Sequence, residues 1–105
     1  MIENFGQLKR QVIPGAEIEI VGYGLASHIG QMRRITKVDE KCFYTIIPGH
    51  PEHWVSRENG GLGDSFWWRT DSFWEFEDGV CSLYDNLIHH DEKHLIIAFK
   101  LKEDN

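Results

Sequence analysis

No stretch of this chain is long and apolar enough to span a bilayer, and its opening residues, MIENFGQLKR, lack the apolar core of a secretory leader. A cytoplasmic location is the expectation that follows. Cations are also scarce, with 11 Lys and Arg against 17 Asp and Glu and a net charge of −6. Binding to nucleic acid through its phosphates draws on Lys and Arg, so this balance disfavours direct DNA or RNA binding and suits a partner with a basic surface. There are only 2 cysteines, Cys42 and Cys81, far apart and each inside an apolar run. In a reducing compartment they read as small core residues, with a disulfide between them as the lesser alternative.

Catalytic and nucleotide-binding motifs are missing as well. Gly22, Gly24 and Gly30 make a glycine-rich stretch, but no Lys-Ser/Thr pair follows, and a plain strand connection is the better reading. Ser27-His28 and Ser56 have the residue types of a nucleophile and base without a recognisable frame around them. His50-x-x-His53 and the group His89, His90 and His94 have ligand chemistry. A closed zinc site asks for four N or S ligands, however, and the thiols lie in other segments. The expectation is therefore no catalytic residue, no metal and no cofactor, with a small metal-dependent enzyme built on the histidines as an alternative.

What the chain has in abundance is aromatic residues, concentrated in Asp64 to Tyr84, DSFWWRTDSFWEFEDGVCSLY, where Trp67, Trp68 and Trp74 are 3 of its 4 tryptophans. Side chains of that size bury large areas, so the stretch is core, contact face, or both. Strand alternation puts Trp74 and Phe76 on one face and Phe73, Glu75 and Glu77 on the other. Trp67, Trp68 and Phe73 cannot all point inward from one strand, which leaves at least one of them exposed. DSFW occurs at Asp64 to Trp67 and again at Asp71 to Trp74, too short a unit to be a repeat architecture.

Around that stretch the pattern is regular. Phe5, Leu8 and Val12 fall at helical spacing behind Asn4 as a cap, giving a helix over 3–12 that Pro14-Gly15 ends. Period-two alternation in Glu17, Ile18, Glu19 and Ile20 makes a first strand with an acidic outer row. Further strands are expected over 31–38, 41–47, 72–77, 80–84 and 95–101, with Asp78-Gly79 turning a tight hairpin and 50–63 a long polar loop. The sum is a single domain over 1–105 with a flexible tail at 102–105. Its class is α+β and mainly β: a short helix, then a strongly curved antiparallel sheet of about six strands closed as an SH3-like small barrel.

Its order of features resembles small barrel proteins of phages and plasmids: the short helix, Pro14-Gly15 opening the first strand, Gly30 leading into Arg33-Arg34-Ile35, then Trp and Phe residues before an acidic hairpin. Some of these act as inhibitors of host restriction or CRISPR nucleases. The resemblance implies a protein-binding role in the host cytoplasm. From the residues themselves, the strongest functional signal is charge placement. From Asp71 to Glu92 the chain has 7 acids and no Lys or Arg. A fixed array of carboxylates on a rigid barrel can stand in for phosphates in the basic cleft of a nucleic-acid-binding protein. The expected contact set is Trp67, Trp68, Phe73, Glu75, Glu77 and Asp78, with Glu17 and Glu19 as a second acidic row. A single-stranded nucleic-acid binder that stacks bases on Trp67 or Trp68 is the alternative.

Overall fold

In the computed structural model, which describes residues 1–23, 26–48 and 63–102, the chain forms one antiparallel sheet of seven strands fronted by a short helix. Helix α1 (Phe5–Gln11) lies within the expected 3–12 and follows the expected Asn4 cap. The Asn4 side chain accepts the Gln7 N–H at 2.8 Å, and Leu8 and Val12 pack into the core. The strands are β1 (Glu17–Tyr23), β2 (Met32–Val38), β3 (Cys42–Ile46), β4 (Asp64–Trp67), β5 (Trp74–Glu77), β6 (Val80–Tyr84) and β7 (Leu95–Leu101). Among the described residues no helix is long and apolar enough to cross a membrane.

The sheet order is β4-β3-β2-β1-β7-β6-β5, so the strand count is seven rather than six and the two edge strands are consecutive in the chain. The extra strand is the first DSFW. The second copy divides differently, with Asp71–Phe73 in a 3-10 turn and Trp74 opening β5. Identical tetrapeptides thus take different structures because one continues a ladder with β3 and the other turns a corner.

Curvature follows from the connection. A flat sheet of seven strands would hold its edges roughly 29 Å apart at about 4.8 Å per step. The chain from Trp67 to Trp74 spans at most about 25 Å when fully extended, and 71–73 of it is coiled in the 3-10 turn. The sheet has to roll up. Register shifts at Ile20/Gly22, Ile35/Lys37 and Leu83/Tyr84 supply local bends of the kind that bulges produce. Backbone pairing between β4 and β5 does not complete the roll, so the expected closed barrel is an open one with β4 and β5 as its edges.

Inside the roll, Phe43 of β3 touches aromatic rings from both ends of the sheet. Its centroid lies 5.5 Å from Phe66, 4.7 Å from Trp68, 6.4 Å from Trp74 and 6.0 Å from Phe99. Ile2, Leu8 and Val12 join the same core from the N-terminal segment. Both thiols are buried and free; Cys81 packs within the core cluster as read, and Cys42 is covered from the other face, opposite Trp67. Burial pushes Cys81 up to about 12 and raises Cys42 as well.

Two glycines are fixed by geometry. At Gly63, with φ of +91°, a Cβ would stand 2.1 Å from the Thr45 carbonyl oxygen, so only glycine lets the chain enter β4 against β3. Asp78 and Gly79 both have positive φ, 51° and 80°, the pairing that a two-residue type I′ hairpin turn requires. Lys102, expected in the flexible tail, is held to β1 through its N–H on the Glu17 carbonyl oxygen at 2.9 Å.

Adjacent tryptophans give the sharpest test of this fold. Trp68 is 1% exposed and Trp67 is 56% exposed. Trp68→Ala is expected to lower stability by about 3–5 kcal/mol in urea unfolding, and Trp67→Ala by no more than about 0.5 kcal/mol. Equal losses at the two positions would contradict the placement of Trp68 in the core.

Candidate functional site

The hairpin β5–β6 carries three of the eight expected contact residues, Glu75, Glu77 and Asp78, and pleating sorts its side chains. Trp74 and Phe76 turn inward, stacked 6.2 Å apart, while Glu75 and Glu77 stand on the outer face and Asp78 on the turn. Register then defines rows across the outer face. Glu77 pairs with Val80, Val80 with Lys100, and Lys100 with Glu19, so Glu77 and Glu19 share one row with a cation between them. Glu17 is committed elsewhere, to Arg34 at 3.9 Å and Lys102 at 3.7 Å. The expected second acidic row therefore lies on the same sheet face but is not continuous with the hairpin. It is a mixed-charge row, because β7 with its lysine separates β1 from β6.

A groove of about 390 Å³ runs along this face, lined by Glu75, Glu77, Asp78, Val80, Ser82, Tyr84 and Lys100. At its end the His90 ring lies flat on Tyr84, centroids 4.5 Å apart and planes 2° from parallel, with Nδ1 3.5 Å from Glu75 Oε1. Burial, and then the Glu75 carboxylate, raise the Tyr84 phenol above its ordinary value.

Trp67 belongs to a different surface. It projects from the outer face of the β4 edge, over a groove of about 500 Å³ that it forms with Asp39, Glu40, Lys41, Cys42 and Tyr44. The β2–β3 turn beside it is built by Asp39, whose Oδ1 accepts the N–H groups of Cys42 at 2.8 Å and Lys41 at 2.9 Å while Oδ2 accepts the Tyr44 hydroxyl at 3.4 Å. Those bonds, the Cys42 N–H first, hold the Asp39 carboxyl below its ordinary value. The two grooves share no lining residue. Trp68 is the correction among the contact candidates: it fills the core, and its Nε1–H donates to the Asp39 carbonyl oxygen at 2.9 Å. Phe73 is half-buried in the 3-10 turn beneath the Arg69 guanidinium, whose carbon lies 5.0 Å from the ring centroid, and it packs against the core.

The sequence reading missed Arg33. This side chain is 1% exposed and sits in a polar pocket of the core. Nη1 donates to Thr45 Oγ1 at 3.2 Å and to Asp64 Oδ2 at 3.3 Å, and Nη2 contacts His28 Nδ1 at 2.8 Å and Gln31 Oε1 at 3.4 Å. A guanidinium only donates, so Nδ1 of His28 must be the acceptor and its proton resides on Nε2. Tyr23 completes the pocket, stacked on His28 at 4.9 Å and 5.2 Å from the Arg33 guanidinium carbon. Strand parity could have found it, since Arg33 and the core residue Ile35 lie two apart on β2. Through the partners of Nη1 and Nη2, this cluster pins the turn at 26–28 to β2, β3 and β4.

Of the remaining candidates, His89 and His94 stack with ring centroids 6.1 Å apart, but no ligand set forms around them among the described residues. His50, His53 and Ser56 lie outside the described residues. His90 contacts Glu75, and His94 Nδ1 contacts Asp85 Oδ1 at 2.9 Å. Among the described residues no group of three His, Cys, Asp or Glu side chains converges as a metal site would. Ser27 is exposed, while the neighbouring His28 ring is turned to Arg33 and Tyr23.

Two outcomes check these placements. Arg33→Ala is expected to cost about 3 kcal/mol in urea unfolding, the low end for breaking a buried pair because Asp64 reaches water, and Arg33→Lys should recover little of it since one ammonium cannot serve four acceptors. For Asp39, a carboxyl held below its ordinary value stabilises the fold fully above its unfolded pKa of about 3.9 and loses that contribution as pH falls through the folded value. Asp39→Asn should therefore melt below the wild type at pH 7, with the gap closing as pH falls below the carboxylate range; a gap that stays constant would show that the charge is not involved. No family model, curated protein or solved structure matches this chain.

Proposed function

We propose that the protein is a non-catalytic binding module whose acidic outer face on β5 and β6 engages a basic surface of a protein partner. The observation that supports this reading is the groove edged by Glu75, Glu77 and Asp78, carried on a hairpin whose other face is locked into the core by Trp74 and Phe76. Carboxylates at fixed spacing give electrostatic steering and choice of partner more than raw affinity. Trp67, at the β4 edge, offers an aromatic anchor of the kind that dominates binding energy at interfaces. Its groove is flanked by Asp39 and Glu40, which favours a protein contact over a nucleic-acid strand with its own negative charge.

The scaffold that suits this reading is a variant of the SH3-like small barrel, left open between β4 and β5. The partner class it suits is a nucleic-acid-binding protein such as a restriction or CRISPR nuclease, whose basic cleft the carboxylates would occupy, with the module acting as an inhibitor encoded by a phage or other mobile element. Nothing in this reading calls for a cofactor.

The test uses charge reversal without disturbing the turn. Asp78 has positive φ, a conformation that lysine tolerates poorly and asparagine well, so the variant is Glu75→Lys, Glu77→Lys and Asp78→Asn. Wild-type chain immobilised by its C-terminus should retain a basic protein at low salt and release it at high salt, and the variant should retain at least about tenfold less. Retention by the variant equal to the wild type, at every salt concentration, would remove the acidic face from the proposal.

A further inference from the structure

The ten residues that join β6 to β7, 85–94, connect neighbouring antiparallel strands that a two-residue turn could have joined. They form a built loop. Asp85 and His94 close its base twice, through the Asp85 N–H on the His94 carbonyl oxygen at 2.8 Å and through His94 Nδ1 on Asp85 Oδ1 at 2.9 Å. Asn86 Oδ1 accepts the N–H groups of both Ile88 and His89 at 2.8 Å, and Asp91 Oδ1 accepts that of Lys93 at 3.0 Å. On the inner side, His90 is laid on Tyr84.

This framework holds two aliphatic side chains out in water, with Leu87 56% and Ile88 83% exposed. An isolated apolar residue on a surface needs no explanation, but two large ones in succession on a pinned loop form a convex apolar tip. Around it the charges are mainly of one sign. Asp85, Asp91 and Glu92 are exposed on the loop and Glu75 lies beneath His90, while Lys93 is the single lysine or arginine in 85–94. An anionic membrane and a nucleic-acid backbone would both be repelled by such a rim.

We infer that Leu87 and Ile88 form a knuckle that inserts into an apolar socket on a protein partner, a socket rimmed by lysine or arginine. The proposal rests on the reading of the chain as a protein-binding module, and of the acidic hairpin groove it uses Glu75 but not Glu77 or Asp78. The apolar pair fills the socket and excludes water, and the acids around it meet the cationic rim. The loop is held in shape before binding, so less ordering is required on contact than for a flexible one.

The experiment places benzoylphenylalanine at position 88 of the full chain, irradiates cells that produce it, and maps the attachment site on the crosslinked protein by mass spectrometry. That protein, purified, is then titrated with the wild type, with the double variant Leu87→Ser/Ile88→Ser, with Ile88→Val, and with the charge-reversed hairpin variant. The expected result is attachment beside an apolar cavity flanked by Lys or Arg. The double variant should bind at least about tenfold more weakly with an unchanged urea midpoint, because both positions are exposed, and Ile88→Val should stay within about threefold. Attachment to lipid, to nucleic acid or to a second copy of this chain overturns the proposal. So do a site lacking the cavity or the cations, equal binding by the double variant, and the absence of any crosslinked product. If only the hairpin variant binds weakly, the acidic-face reading stands and the knuckle falls; if every variant binds as the wild type does, both fall.

Discussion

Everything in this molecule hangs on how the chain crosses from the last residue of β4 to the first of β5. Trp68 secures that crossing at both ends of its own structure: its backbone N–H donates to the Lys41 carbonyl oxygen at 2.9 Å and its indole N–H to that of Asp39 at 2.9 Å. The indole of Trp74 in turn donates to the Trp68 carbonyl oxygen at 2.7 Å. These bonds tie the β2–β3 turn, the end of β4 and the start of β5 into one corner. The Phe43 ring fills the space beneath. A buried indole N–H without a partner would be costly, so each tryptophan is held where a carbonyl can receive it.

The corner determines what the outside of the protein can be. Because the sheet rolls around Phe43, inward positions converge on one core and outward ones splay, and the edge strands come round toward each other without pairing. An open edge is a standing risk of pairing with another chain, and short charged strands reduce it. β5 is four residues long and bears Glu75 and Glu77, and β4 is four residues long and opens with Asp64. The same carboxylates that make the hairpin a candidate binding surface therefore also guard an edge. Those two roles predict different sensitivity to position: protection of an edge needs only charge, whereas a binding face needs charge in a particular place.

Much of the architecture was legible because its signals are local. Alternation in Glu17 to Ile20 and in Trp74 to Glu77, the Asp78-Gly79 turn and the Asn4 cap each depend on near neighbours, and all four are found as read. What was not legible depends on distant partners. Arg33 reads as a surface cation until Thr45, Asp64, His28 and Gln31 are seen to surround it. Trp67 and Trp68 are equivalent in sequence, and which one enters the core is decided by the register of β4 on β3, which sets Phe66 opposite Phe43 on the inner face and so turns Trp67 out and Trp68 in. The loop after β6 reads as a polar linker, since Leu87 and Ile88 stand among charged and histidine residues. Their exposure follows from the bonds of Asn86 and the Asp85–His94 closure.

In the proposed binding role, the acidic face and the apolar knuckle would serve different steps of one binding event. Exposed carboxylates act at a distance of up to about 10 Å in 0.1 M salt, which makes them effective before contact and weak after it. Leu87 and Ile88 act only on contact, when water leaves both surfaces. A partner steered by the first and retained by the second would show association rates that fall with salt and dissociation rates that do not. Lys100, set between Glu77 and Glu19, interrupts the acidic row across the sheet. His90 anchors the loop to Tyr84 at the end of β6 away from the Asp78-Gly79 turn, so Glu75 is the hairpin acid beside the knuckle, and Glu77 and Asp78 lie at the far end of the hairpin. Glu75 is brought beside the loop's own acids and its apolar pair by the pairing of β5 with β6, a property of the sheet that no single segment of the chain encodes.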